Sequence, residues 1–374
     1  MKLIAASLGA LLLSATFSVV QPAMAQPAEP VEKTSAGGWS PAAAASYLDG
    51  RELWWQSWDR AKRDHDTTCV SCHTVLPYAL ARTSLRKVTG ESGLSPAEQT
   101  MLAYVEKRAN LWDEVEPFYK DASSGAGKTA ESRGTESVFN ALILARYDAA
   151  GAGHMRAITR KAFQSAWSLQ LQSGDKAGAW TWINFHNGPW ESDESQYWGS
   201  TIAALAVGFA PDNYKNDPAI QKNIDLLRGY LRREYATQPL INKTAVLWAS
   251  SRLEGILTAE QKKALAADLA AQQQKDGGWS LTDLGSWKRH DNTPLETRSD
   301  GYATGLTALA LRESGSGAPE SLRRAQAWLT VNQEAVDGRW LAWSINKQRD
   351  SQSDIGRFMS DAATAYAVLA LEKK

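Results

Sequence analysis

Five segments of the chain are apolar nearly all the way round: GTESVFNALILARY from Gly134, SQYWGSTIAALAVGF from Ser195, NKTAVLWASSRL from Asn242, SDGYATGLTALAL (299–311) and SDAATAYAVLAL (360–371). A helix without a polar face is one covered on both sides by its neighbours, so these segments predict inner helices of a layered all-α fold. Ahead of each lies a more polar stretch with one apolar face. The first is SPAEQTMLAYVEKRANLW, where Ser95 and Glu98 make a capping box; the others are HMRAITRKAFQSAWSLQ, DPAIQKNIDLLRGYLRREY, TAEQKKALAADLAAQQQ and PESLRRAQAWLTVNQ. These predict outer helices. A further pair precedes them, PAAAASYLDGRELWWQSW (41–58) and then VLPYALARTSLR, which begins at Val75. A repeat of about 45–60 residues is a two-helix unit with its loops. Six such pairs predict a closed (α/α)6 toroid over residues 40–374, an inner barrel inside an outer ring. No sustained period-two alternation competes with the helices.

Two turns that follow outer helices share a motif, Gln273-x-x-Asp276-Gly277-Gly278-Trp279 and Gln333-x-x-x-Asp337-Gly338-Arg339-Trp340, and LQSGDKAGAWTW (171–182) is a looser third copy. They resemble the QW repeats of squalene-hopene cyclases and related terpenoid cyclases, over most of the chain from about residue 40 onward. The resemblance implies the toroid. It does not carry over an activity, because the cyclases' D-x-D-D acid motif is missing. The zinc site of the related protein prenyltransferases is unmatched too: the cysteines here lie too close together and too early in the chain.

The chain opens MKLIAASLGALLLSATFSVVQPAMAQ, a lysine, an apolar run and an Ala23-Met24-Ala25 cleavage site, which predicts a signal peptide over 1–25 and an exported, periplasmic or secreted, product. Residues 26–39, rich in Pro, Ala and Gly, read as a flexible lead-in. Lys plus Arg number 41 and Asp plus Glu 41, so loss of the leader's one lysine leaves a formal charge of −1. That balance offers no basic field to hold nucleic acid, and no membrane span is expected once the leader is removed.

Both cysteines of the chain stand in TTCVSCHTVLPY (67–78). A redox dithiol of the thioredoxin kind needs a βαβ setting, and a structural zinc needs more ligands than the segment supplies. Cys-x-x-Cys-His in an exported chain with no other cysteine fits covalent haem c, with Cys69 and Cys72 forming thioethers from the start of the first inner helix and His73 as the proximal iron ligand. Met359 is the candidate distal ligand, since in a closed ring the sixth inner helix lies beside the first, and His65 is the second choice. Met101 and Met155 lie on apolar helix faces and read as core. The resulting expectation is a mono-haem c-type cytochrome that passes electrons to a redox protein partner, and it resembles haem-bearing, cyclase-like exported bacterial proteins. Two alternatives stand beside it. One is a haem-dependent peroxidase or oxygenase acting on a small apolar ligand, such as an isoprenoid, in the toroid cavity; the other is a binding module for a redox partner.

Among the 16 tryptophans, those of ELWWQSW, AWTWINFHNGPW and GRWLAW either line a ligand cavity or fill the space between the rings, and filling is the simpler account. Trp54, Trp55 and Trp58 are expected to shield the Cys-x-x-Cys-His segment. Glu191, Asp193 and Glu194, with Asp300 and Asp361 at inner-helix starts, would suit a glycoside hydrolase if paired at the barrel mouth. Helix capping and dipole complementation account for them more simply.

Overall fold

Residues 38–115 and 125–372 are described by a computed structural model, and all of them fall in one unit of the chain, Lys33–Lys374. The expected signal peptide (1–25), and the lead-in as far as residue 37, lie outside the described residues. Twelve helices follow one another among the described residues. The odd-numbered are outer: α1 (Pro41–Ser57), α3 (Pro96–Asn110), α5 (Ala157–Ser168), α7 (Gln221–Glu234), α9 (Ala259–Ala271) and α11 (Pro319–Val331). The even-numbered are inner: α2 (Val75–Thr89), α4 (Gly125–Ala150), α6 (Ser195–Phe209), α8 (Leu240–Ala249), α10 (Gly301–Ser314) and α12 (Phe358–Leu371). A two-residue hairpin, Lys62–Arg63 against Thr67–Thr68, is antiparallel.

The inner helices pack in chain order, α2 on α4 and so on to α12, and α12 returns to α2, which closes the ring. Their composition is the cause. In α12 every residue from Met359 to Ala370 is buried, and in α10 every residue from Gly301 to Leu311. The outer α7 buries only Ile224, Leu227, Tyr230 and Leu231, one stripe at helical spacing. The capping box at Ser95 forms as expected: Ser95 Oγ accepts from the Glu98 N–H at 3.2 Å while Glu98 Oε2 accepts from the Ser95 N–H at 2.9 Å.

The three QW-type turns are one device used three times. Trp180, Trp279 and Trp340 are fully buried, and each donates its indole N–H to a carbonyl near the end of the preceding outer helix: Ala166 O at 2.6 Å, Leu269 O at 2.7 Å and Leu329 O at 2.8 Å. Gln170, Gln273 and Gln333 each donate to the carbonyl of a turn glycine and to the start of the next outer helix, at Asn223 O, Ser321 O and Ser40 O. The glycine is required because the next helix lies against it. Gly338 has φ +79, and a Cβ there would sit 2.5 Å from the Ala43 backbone; Gly178 and Gly277 hold the same place in their turns. The third tether joins the turn after α11 to the N-cap of α1, with Gln333 Oε1 accepting from the Ser40 N–H at 2.6 Å. These tryptophans therefore fill space and pin turns, as the simpler sequence account has it.

Gln333→Ala should leave Ser40 N–H and Gly338 C=O without partners and cost about 2–3 kcal/mol of unfolding free energy, read as a lowered urea midpoint. An unchanged midpoint would show that the ring closes without this tether.

Candidate functional site

The N-terminal ends of the inner helices gather at one mouth of the ring, and the segment between α1 and α2 lies across it. Trp55 Nε1–H donates to Cys69 O at 2.7 Å and fixes the start of the turn. Ser71 Oγ accepts from the Thr74 N–H at 3.3 Å and the Val75 N–H at 3.1 Å, so Ser71 holds the turn that leads into α2. Cys69 and Cys72 thus stand in the loop and turn just ahead of α2, which starts at Val75 where the sequence puts it. Both are free thiols, Cys72 buried and Cys69 half-buried.

A cavity of about 370 Å³ opens against this turn, lined by Cys69, Cys72 and His73, by Glu136 and Glu191, and by Trp55, Trp58, Phe185 and Phe358. Arg60, Arg63 and Arg349 line it too. A smaller cavity of about 180 Å³ shares His73, Glu191, Arg349 and Phe358 and continues to Trp190, Asn346 and Met359. The two together form a cleft with aromatic walls.

The two carboxyls meet opposite surroundings. Arg108 grips Glu136 through both carboxylate oxygens and also donates to Thr67. Among the described residues Glu191 has no such partner: it accepts a weak bond from Cys72 Sγ at 3.7 Å, and burial pushes its pKa from 4.5 up to about 7. Burial likewise raises the Cys69 thiol to about 11 and the Cys72 thiol well above its ordinary value, so both stay protonated at neutral pH.

His73 is locked. Phe358 stacks on its ring at 3.8 Å between centroids and Trp55 meets it edge-on at 5.0 Å. Burial, assisted by the charge of Arg51, lowers its pKa to about 3, which leaves a neutral imidazole. Its Nδ1 lies 2.9 Å from Thr74 Oγ1, and that hydroxyl donates to Asp361 Oδ2 at 2.8 Å. With the Thr74 hydrogen directed to Asp361, the Thr74 oxygen accepts from Nδ1–H and Nε2 becomes the ring's acceptor. Asp361 also accepts from Tyr47 Oη at 2.7 Å and from Arg51 Nε at 2.8 Å. It is the hub of this mouth, where the sequence suggests a cap. Asp300 does cap its helix, accepting from the Ala303 N–H at 2.8 Å, and burial raises its pKa to about 7.

The other sequence candidates divide by position. Met359 is buried at the start of α12 and lines the smaller cavity with His73, while its neighbour Phe358 covers the imidazole face. His65 is exposed in a left-handed conformation, φ 54, paired with Asp64 at 2.9 Å, and lines neither cavity. Met101 and Met155 are core residues, as expected. Trp54, Trp55 and Trp58 do pack together beside the turn, Trp54 and Trp58 stacked at 5.2 Å.

An α/α toroid with a carboxyl-bearing aromatic cleft at one mouth is the class that fold and site define. No known protein family and no curated protein matches the chain by sequence. Among solved structures it is similar to the GH76A α-1,6-mannanase from Salegentibacter sp. HEL1_6, with TM-score 0.51 and 10% identity over 89% of this chain and 99% of that one. It is also similar to an inactive variant of that enzyme, two aspartates replaced by alanine, in complex with α-1,6-mannotetrose, with TM-score 0.50 and 11% identity over 89% of this chain and 100% of that one. At these identities the likeness is one of fold, and it supports the toroid. It brings neither a cytochrome nor a terpenoid cyclase.

The haem expectation is corrected here. The two solved structures it is similar to here are of an α-1,6-mannanase, and among the described residues no three His, Cys, Asp or Glu side chains converge to hold a metal ion. Locally, Cys72 is turned to Glu191, and the His73 ring is covered by Phe358 and held through Nδ1 by Thr74. Haem c on Cys69, Cys72 and His73, with electron transfer or haem peroxidase and oxygenase chemistry built on it, is accordingly set aside, and Met359 and His65 lose their assigned role as distal iron ligands.

Raising the pH from about 4.5 to 7 should cost stability through Glu191, because its folded pKa lies above its unfolded one and the folded state holds the extra proton in that window. Glu191→Gln should remove that part of the slope and gain about 1–3 kcal/mol at pH 8, measured by urea denaturation across pH. A second measurement addresses the sulfurs. The native protein should react slowly with iodoacetamide at pH 8, and two thiols should titrate on unfolding; fewer than two would mean that the cysteine sulfurs are covalently occupied.

Proposed function

We propose that the protein is an exported carbohydrate-active toroid that hydrolyses glycosidic bonds in the mouth cleft, with Glu191 as proton donor and Glu136 as the partner carboxylate. The observation that carries this reading is that two glutamates with opposite surroundings line one cavity, Glu191 raised by burial to about 7 and Glu136 ion-paired to Arg108. Glycoside hydrolysis needs this division: a protonated carboxyl to deliver a proton to the leaving oxygen, and a charged one to stabilise the cationic sugar or act on its far side. Aromatic walls such as Trp58, Phe185 and Phe358 suit the apolar faces of pyranose rings, and the cleft's arginines suit their hydroxyls. The likeness to α-1,6-mannanases supports a mannose-based oligosaccharide as the first substrate to try. One departure separates the chains: the replaced aspartates of the inactive mannanase are adjacent in sequence, and this chain contains no Asp-Asp pair. The acid and its partner are therefore assigned from this cleft's own residues.

Incubation with α-1,6-mannotetraose, followed by chromatography of the products, should show cleavage that declines as pH rises through about 7. Glu191→Gln should lower kcat by about 10²–10⁴-fold while the fold, read by circular dichroism, is kept. Absence of cleavage across a panel of α- and β-linked oligosaccharides, or full activity in the variant, would end this reading.

A further inference from the structure

The opposite mouth of the ring, where the inner helices end, holds a second cavity of about 220 Å³. Lys87 of α2, Arg146 of α4, Arg312 of α10 and Arg252, just after α8, surround it, with Trp248 in its wall. The two carboxylates present are already engaged: Glu313 by Arg252 at 2.6 Å and Arg312 at 2.7 Å, Glu372 by Ser84 Oγ at 2.8 Å. Cations at helix C-termini ordinarily answer the last carbonyls, and Arg312 does so by donating to Ala370 O and Glu372 O. That account does not reach the others. Among the described residues Arg146 bonds only Ser84 Oγ, at 3.2 Å, and has no carboxylate within ion-pair distance. Arg146 Nε and Arg252 Nε are buried without partners, although both guanidiniums lie on the Phe209 ring, at 5.0 and 4.8 Å. Trp248, only 3% exposed, keeps its indole N–H unpaired as well.

We propose that this mouth binds a small oxyanion, of the phosphate or carboxylate class, between Arg146, Arg252 and Trp248. Three residues that line one cavity each keep a buried N–H without a partner, and with the excess of positive charge beside them they are the complement of an oxyanion's several acceptors. The helix ends turn carbonyls toward this mouth and oppose an anion, so the surplus of cations is what a site in this position requires. Burial lowers the pKa of Arg146, a cost that a bound anion would offset.

The test is titration of the full protein with inorganic phosphate, sulfate and succinate by calorimetry, alongside melting curves in potassium chloride of equal ionic strength. At least one of the three should bind with measurable heat and raise Tm beyond the chloride control, and comparison of the three distinguishes phosphate-type from carboxylate ligands. Trp248→Phe, which removes the N–H and keeps the ring, should weaken binding about tenfold. Arg146→Gln should weaken it further, and Arg146→Lys serves if that variant does not fold. No preference for any of the three anions over chloride, or undiminished affinity in Trp248→Phe and the folded Arg146 variant, would overturn the site.

Discussion

The buried carboxylate of Asp361 is the constraint on which the working end of this molecule depends. It stands in α12, the last helix, and accepts from Tyr47 and Arg51 of α1 and from Thr74 at the threshold of α2. Burial disfavours its charge, and three converging donors, one of them the cationic Arg51, make the arrangement tenable. Removing Arg51 would leave an unbalanced charge in a dry place and removing Tyr47 or Thr74 an unmade hydrogen bond there, so α1, α12 and the turn before α2 are specified together. His73, held by the same hydroxyl that serves Asp361, inherits its orientation from ring closure.

The mouth cleft and the seam of the ring are consequently the same region. Phe358 closes over His73 from the last inner helix, Glu191 comes from the loop before α6, and Glu136 comes from α4 with its arginine on α3. No single repeat contains the site; it exists only where several helix starts converge. The far mouth is built by the same rule from helix ends, which is why its chemistry is cationic where the near one is carboxylic and aromatic.

The toroid was legible because it is written in local patterns. All-round apolar segments such as the one from Ser299 to Leu311 can be nothing but inner helices, and Gln and Trp at fixed places around a glycine turn announce the tethers at Trp279 and Trp340. The cleft was not legible, because its meaning lies in contacts between distant residues. Asp361 sits at a helix start like an ordinary cap, and nothing adjacent in sequence marks the Tyr47 and Arg51 that claim it. Glu191 reads as one acid in an acidic loop; only its half-buried place beside Cys72 makes it unusual. Cys-x-x-Cys-His misled for the opposite reason, being a strong local signal whose residues take their surroundings from α1, α12 and the loop before α6.

The tether between Gln333 and Ser40 brings together positions 293 residues apart. Such a seam cannot be sewn early. A chain made from its amino end must keep α1 waiting, its inward stripe and the N–H of Ser40 unmatched, until α11 and α12 have been synthesised, so the annulus is slow to complete and its first helix is the part most open to wrong partners in the interval.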